Sequence, residues 1–157
     1  MLKSKINTPV LKFCFNSVFE IKLQSHFDLC LTKQNNMKIA VIGSRNFKDE
    51  VVLENELNLI KDKVELVISG GASGADTLAE KWAFDNNIPI EVIKPDWETF
   101  GRAAGVVRNK QIIESCDYCY AFWDKKSKGT RFGINYCKKI LKPIKIINFI
   151  PVVSDLK

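Results

Sequence analysis

Between Val67 and Asp76 the chain reads Val-Ile-Ser-Gly-Gly-Ala-Ser-Gly-Ala-Asp. An apolar run beginning at Val64 breaks there into Gly70, Gly71 and Gly74. A helical pattern follows at once, with Ala75, Leu78, Ala79, Trp82 and Ala83 spaced to line one face. A strand that turns through glycines into a helix start presents free backbone N–H groups and the positive end of the helix dipole, an arrangement that binds phosphate. On this reading Ser69, Gly70, Gly71, Ala72 and Gly74 hold a phosphate through backbone donors. The plainer alternative is a strand-to-helix turn that is merely rich in glycine.

The same design recurs at two other strand ends. Met37–Ile42 is apolar and runs into Gly43-Ser44-Arg45-Asn46-Phe47, where Gly43 and Ser44 would let a ligand pass over the strand. Tyr118–Trp123 leads into Asp124, a Lys/Ser-rich loop and then Gly129-Thr130, a second helix start whose Thr hydroxyl could add a donor. Arg45 could pair with phosphate through its planar fork, or be an ordinary surface arginine. Arg108, with Asn109 beside it, follows Ala103-Ala-Gly105, small residues that would let a ligand lie close to the helix. The alternative for Arg108 is a surface ion pair with Asp96 or Glu114. Trp97 and Trp123 could each stack on a base or fill the core. Asp76 and Asp124 could cap helices or accept from a ribose hydroxyl.

These residues need elements to carry them. The pattern predicts strands at about Lys38–Ile42, Val64–Ile68, Ile90–Ile93 (stopped by Pro95), Tyr118–Trp123 and Ile144–Ile147. Helices fall between them: one with Asp49 as N-cap and Val51, Leu53, Leu57 and Ile60 as its apolar side, one running to about Asn86, one over Ala103–Cys116, and one over Thr130–Leu141 closed by Pro143. Asp96, Trp97 and Phe100 form a connecting segment. Unbroken apolar strands alternating with helices argue for an α/β fold, a Rossmann-like three-layer α/β/α sandwich with a mainly parallel sheet of about five strands. In such sheets ligands sit beyond the carboxyl ends of the strands, where strand order reverses.

Gly43-Ser-Arg-Asn-Phe47, Ser69-Gly-Gly-Ala-Ser-Gly-Ala-Asp76 and Leu78-Ala-Glu-Lys-Trp-Ala83, followed by Asp96-Trp97, Gly101–Gly105, Arg108-Asn109, Ala121–Asp124 and Ser127–Thr130, together resemble the YspA (cpYpsA-related) branch of the SLOG superfamily. The resemblance runs from Met37 to about Asn148. It implies a Rossmann-like fold and a nucleotide-like ligand, bound by a sensor or binding module, and leaves the activity open. LOG-type relatives are phosphoribohydrolases that cleave nucleoside monophosphates, which implies an N-glycosidase acting on a nucleotide or ADP-ribose-type substrate as an alternative. In those enzymes an arginine in a similar helical setting takes part in catalysis and substrate binding, which makes Arg108 the leading charged candidate. Their catalytic glutamate follows a Gly-Thr pair, however, and here Gly129-Thr130 is followed by Arg131, Phe132 and Gly133. Glu80, Asp76 or Asp124 would have to substitute. A DprA-like role in binding single-stranded nucleic acid is the second alternative, and a homodimer is expected by analogy with LOG-type relatives.

Composition bounds these readings. The 157 residues suit one domain with a proper core. The net charge of +6 divides evenly: five Lys/Arg against two Asp/Glu before Met37, and 19 against 16 after it. The domain is thus only mildly basic, and nothing in its charge demands nucleic acid. No apolar run approaches the roughly 20 residues that span a membrane. Five cysteines, an odd number, do not form a disulfide framework, and Cys116-Asp-Tyr-Cys119 lies at a helix C-terminus, the wrong end for a reactive thiol. With His26 the only histidine there is no zinc set, so neither metal nor cofactor is expected, and reduced thiols point to the cytoplasm. Residues 1–36 match neither helical nor strand period, and Lys12 and Glu20 interrupt their apolar stretch. They read as an N-terminal extension, poorly ordered or non-native, before a domain at 37–150 and a tail at 151–157.

Overall fold

The computed structural model describes residues 36–151, so the expected N-terminal extension up to residue 35 and the tail from residue 152 lie outside the described residues. Five strands form one wholly parallel sheet: β1 (Met37–Gly43), β2 (Val64–Ser69), β3 (Ile90–Val92), β4 (Tyr118–Trp123) and β5 (Ile144–Asn148), in the order β3-β2-β1-β4-β5. Between them run α1 (Glu50–Asn58), α2 (Ala75–Asp85), a single turn α3 (Trp97–Phe100), α4 (Ala104–Ser115) and α5 (Lys128–Lys139). This is the expected Rossmann-like three-layer sandwich.

The layers follow from the two-residue period of a strand. Ile39 and Val41 of β1, with Val67, Tyr120 and Phe122, meet Leu53 and Leu57 of α1 and Ala75, Ala79, Trp82 and Ala83 of α2. Ala40 and Ile42 point the other way and, with Ile68, Cys119 and Ala121, meet Ile112 and Ile113 of α4 and Ile134 and Cys137 of α5. Burial on both faces is what unbroken apolar strands require.

Asp49 caps α1 as expected, its carboxylate accepting from the Val52 amide at 3.0 Å. The apolar side expected for α1 is corrected in part: Leu53 and Leu57 are buried, but Val51 is 65% exposed and Ile60 lies beyond the helix end. The segment after Pro95 is a helical turn rather than an irregular connection, because Asp96 accepts from the Thr99 amide. α5 begins two residues before Thr130, because Ser127 supplies the N-cap. Cys116, Cys119 and Cys137 are buried free thiols, and burial pushes the Cys116 thiol up to about 11, which leaves it unreactive.

The end of β1 is tied to its neighbours on both sides. The Ser44 amide donates to the Phe122 carbonyl at 2.9 Å, and the Ser44 carbonyl accepts from Ala75 at the start of α2. Gly43 is the residue that permits this approach, since a Cβ there would stand 2.3 Å from the Ala75 Cβ. Gly43→Ala is therefore expected to wedge β1 from α2 and to cost about 1–3 kcal/mol as an overpacking change. Urea unfolding of the wild type and variant reads the difference; equal midpoints would show that the contact is not close.

Candidate functional site

Beyond the carboxyl ends of β1 and β4, where the strand order reverses, lies a cleft of about 510 Å³. Its walls come from four places. The β1 loop supplies Ser44, Arg45 and Asn46, and the β2–α2 loop supplies Ala72 and Asp76. α4 contributes Arg108, Asn109 and Ile112, and the β4–α5 loop contributes Asp124, Lys126, Ser127, Gly129 and Thr130.

Arg108 and Asp76 meet at its centre. Asp76 lies in the first turn of α2, and its Oδ2 accepts from the amides of Gly70 at 3.1 Å and Ala72 at 3.3 Å. The amide of Gly71 donates to the Ser69 hydroxyl. The amides of Gly70, Gly71 and Ala72, expected to face a phosphate, are thus turned to acceptors of the chain itself, and Ser69, Gly70, Gly71 and Gly74 are not among the residues that line the cleft. Their glycines have structural duties. Gly74 holds φ at 87° with the Ser44 carbonyl against it, and a Cβ on Gly70 would fall 1.3 Å from Arg108 Nη1. Gly70 is the space into which the guanidinium fits.

Arg108 Nη1 lies 3.7 Å from Asp76 Oδ2, with both side chains largely buried. This replaces the surface pairs with Asp96 or Glu114 that the sequence offered. Nε of Arg108 is buried and has no hydrogen-bond partner among the described residues. Leaving such a donor unmet costs about 1–3 kcal/mol. Burial lowers the pKa of Arg108; Asp76 opposes that shift, and the charge of Arg45 adds to it. Burial likewise raises Asp76 to about 6, against the opposing pull of the Ala72 amide, Arg108 and the Gly70 amide.

Across the cleft Asp124 accepts hydrogen bonds at both carboxylate oxygens. Its Oδ2 accepts from the Ser44 hydroxyl at 2.7 Å, and its Oδ1 from the amides of Lys126 at 2.9 Å and Ser127 at 2.7 Å. Burial alone would raise its pKa, but the Ser127 amide, the Ser44 hydroxyl and the Lys126 amide outweigh it and hold it below the usual carboxylate value. Ser127 caps α5 by accepting from the Thr130 amide and hydroxyl. The first-turn amides of Lys128 and Gly129 have no partner within the helix, and a Cβ on Gly129 would meet nothing within 4 Å. Trp123 turns its indole N–H to the Ser127 carbonyl, outside the cleft lining, and Glu80 is bonded to the Ser69 hydroxyl. Asn46 and Ser127 line the cleft although sequence reasoning did not select them, and Lys126 reaches it from the Lys/Ser-rich loop that the sequence placed close by. Ser127, three residues before Thr130 at a helix start, was the legible one, as a cap.

Residues 37–100 match the YspA, cpYpsA-related SLOG family. The chain is 35% identical over 121 residues to the Gene 61 protein of Mycobacterium phage D29, an alignment covering 71% of this chain and 95% of that protein. The chain belongs to the YspA, cpYpsA-related SLOG family. Its fold is shared with DNA processing protein A from Helicobacter pylori, a structure described for its single-stranded DNA binding mode, at 19% identity and a TM-score of 0.58 over 73% of this chain and 67% of that one. It is shared equally with DprA from Streptococcus pneumoniae, at 16% identity and a TM-score of 0.58 over 78% of this chain; the match spans 53% of that protein.

The raised pKa of Asp76 makes folding favour its protonated form. Below the ordinary value of 3.8 this contribution is fully present, and it is lost as pH rises to about 6. Unfolding free energy of the wild type relative to Asp76→Asn is expected to fall by on the order of 2 kcal/mol between about pH 4 and pH 6. Denaturant unfolding at several pH values measures this; parallel curves for the two proteins would place Asp76 in a solvated setting.

Proposed function

We propose that the cleft binds the phosphate-bearing part of a nucleotide or nucleotide-derived molecule, and that the protein acts as a sensor or binding module for it. The observation that carries this reading is the guanidinium of Arg108, a largely buried cation that lines the cleft and meets its one carboxylate, Asp76, at only 3.7 Å, so that it keeps donors to offer an anionic oxygen. Arg45, Lys126 and the open first turn of α5 at Gly129 face the same space. Asp76 and Asp124, both already held by hydrogen bonds, are acceptors suited to sugar hydroxyls. The glycine turn after β2 serves this site indirectly, by seating Arg108, while the phosphate loop proper is the one at Ser127–Thr130. Buried reduced thiols suit work in the cytoplasm.

One observation favours an N-glycosidase as the second reading. Glu80 is tied to Ser69 and Asp124 is held ionised by its donors, but Asp76 lines the cleft with a pKa raised to about 6, near the operating range of an acid–base group. Binding of single-stranded nucleic acid, named for the Helicobacter pylori protein, rests on shared fold alone.

A thermal-shift screen of the full chain against nucleoside monophosphates, ADP-ribose, NAD and cyclic nucleotides tests the reading. A ligand at a hundred times its Kd adds about 2.7 kcal/mol, or roughly 5–10 °C at this size. Arg108→Ala, and Gly70→Ala, which evicts the guanidinium, are expected to abolish the shift. Retention of the shift in Arg108→Ala would sink the proposed site. Chromatography of the same mixtures for free base separates binding from hydrolysis, and oligonucleotide affinity that falls steeply with salt would mark the nucleic-acid reading.

A further inference from the structure

Trp97 is 60% exposed, an unusual position for an indole on a chain that buries Trp82 almost completely. It sits on the single turn α3, which the Asp96 cap and Gly101 at φ 46° fix in place between β3 and α4. Its ring reaches back to α4: Trp97 Cη2 is 3.9 Å from where a Cβ on Gly105 would stand, and no other group comes within 4 Å of that point. Gly105, Arg108, Asn109 and Ile112 are spaced three, four and seven residues apart, so they share one face of the helix. The last three line the cleft. The indole therefore stands against Gly105, one helical turn from Arg108 and just outside the residues that line the cleft. Between the two, Gly105 leaves bare backbone as a floor. A glycine inside a helix costs about 1 kcal/mol relative to alanine, and here an alanine would have fitted at ordinary contact distance.

We propose that Trp97 and Gly105 form a nucleobase subsite, in which the base of a nucleotide held at Arg108 lies over Gly105 and stacks on the indole. The inference rests on the nucleotide reading of the cleft and adds where the base goes and what recognises it. Stacking on an exposed indole uses the π-face common to all bases, so the subsite selects for the presence of a base and tolerates its identity. Selectivity between bases would have to come from edge contacts, and Asn109, one residue past Arg108, is the neighbouring side chain able both to donate and to accept.

Calorimetric titration of the full chain with the four common ribonucleoside monophosphates and with ribose 5-phosphate separates the two readings. The wild type is expected to bind at least one monophosphate roughly tenfold or more tightly than ribose 5-phosphate. Trp97→Ala is expected to erase that preference while leaving ribose 5-phosphate affinity unchanged, which also shows the cleft to be intact, and Trp97→Phe to retain most of it. Gly105→Leu, which favours the helix but fills the floor, is expected to lose base affinity without lowering the melting temperature. A preference that survives Trp97→Ala overturns the subsite. Equal binding of sugar phosphate and nucleotides by the wild type, abolished in Arg108→Ala, overturns the subsite and leaves the cleft reading standing. No binding of any of the five probes also overturns the subsite.

Discussion

The carboxylate of Asp76 fills the place at the end of β2 where a bound anion would otherwise sit, and the geometry of the cleft follows from it. Amides at a strand-to-helix turn need an acceptor, and a carboxylate in the first helical turn is the nearest one the chain can supply. Once Asp76 accepts from Gly70 and Ala72, its charge is fixed in a buried position and needs a cation. Arg108 answers from α4, on the opposite face of the sheet, and reaches over only because Gly70 has no side chain. The pair does not close: at 3.7 Å it leaves the guanidinium short of partners, with Nε bare. A buried pair of this kind gains little net stability, because desolvation offsets the attraction. It holds a cation in place beside an open cleft, and under the proposed function a ligand oxygen would recover part of the cost of burying that cation.

A second constraint works from the other side. Ser44 and Asp124 close the ends of β1 and β4, the adjacent strands whose connections run in opposite directions away from the middle of the sheet. Their hydrogen bond bridges the gap that such a reversal opens. Asp124 goes on to shape the turn that delivers Ser127 as the cap of α5, so one carboxylate aligns the β1 loop and the helix terminus facing it. Both walls of the cleft are therefore set by internal acceptors before any ligand is present, a preorganisation that lowers the cost of binding.

The sheet and its helices were legible in the sequence because the strands are short apolar runs, and because α2 carries a one-sided pattern with Ala75, Ala79, Trp82 and Ala83 buried. The edges were less so. Val51 looked apolar-periodic but faces water, since periodicity marks a face without saying whether anything packs on it. Of the candidate site, Gly43, Ser44, Arg45, Ala72, Asp76, Arg108, Asn109, Asp124, Gly129 and Thr130 do come together in one cleft. What the sequence could not reveal is what each glycine is small for. Gly43 makes room for Ala75, Gly70 for Arg108 and Gly74 for the Ser44 carbonyl, all contacts with residues distant in the chain or across a turn. Gly129 alone among the glycines of these three loops faces open space. A glycine motif reads the same from sequence whether its missing side chain admits a ligand or another part of the protein.

That difference bears on which polyanion the cleft suits. Three cations, Arg45, Arg108 and Lys126, and two carboxylates, Asp76 and Asp124, line it. The carboxylates are not neutralised at a distance; they sit among the cations and are themselves hydrogen-bonded. Such a mixture is poorly suited to a long phosphate backbone, whose binding grows with the number of cations it meets and weakens wherever it passes a fixed negative charge. It suits a compact ligand carrying one phosphate beside several hydroxyls, where the cations and the open helix terminus take the phosphate and the carboxylates take the hydroxyls. Charge balance thus fits the proposed nucleotide-sized ligand better than a strand of nucleic acid, even though the fold is shared with a protein described for its single-stranded DNA binding mode.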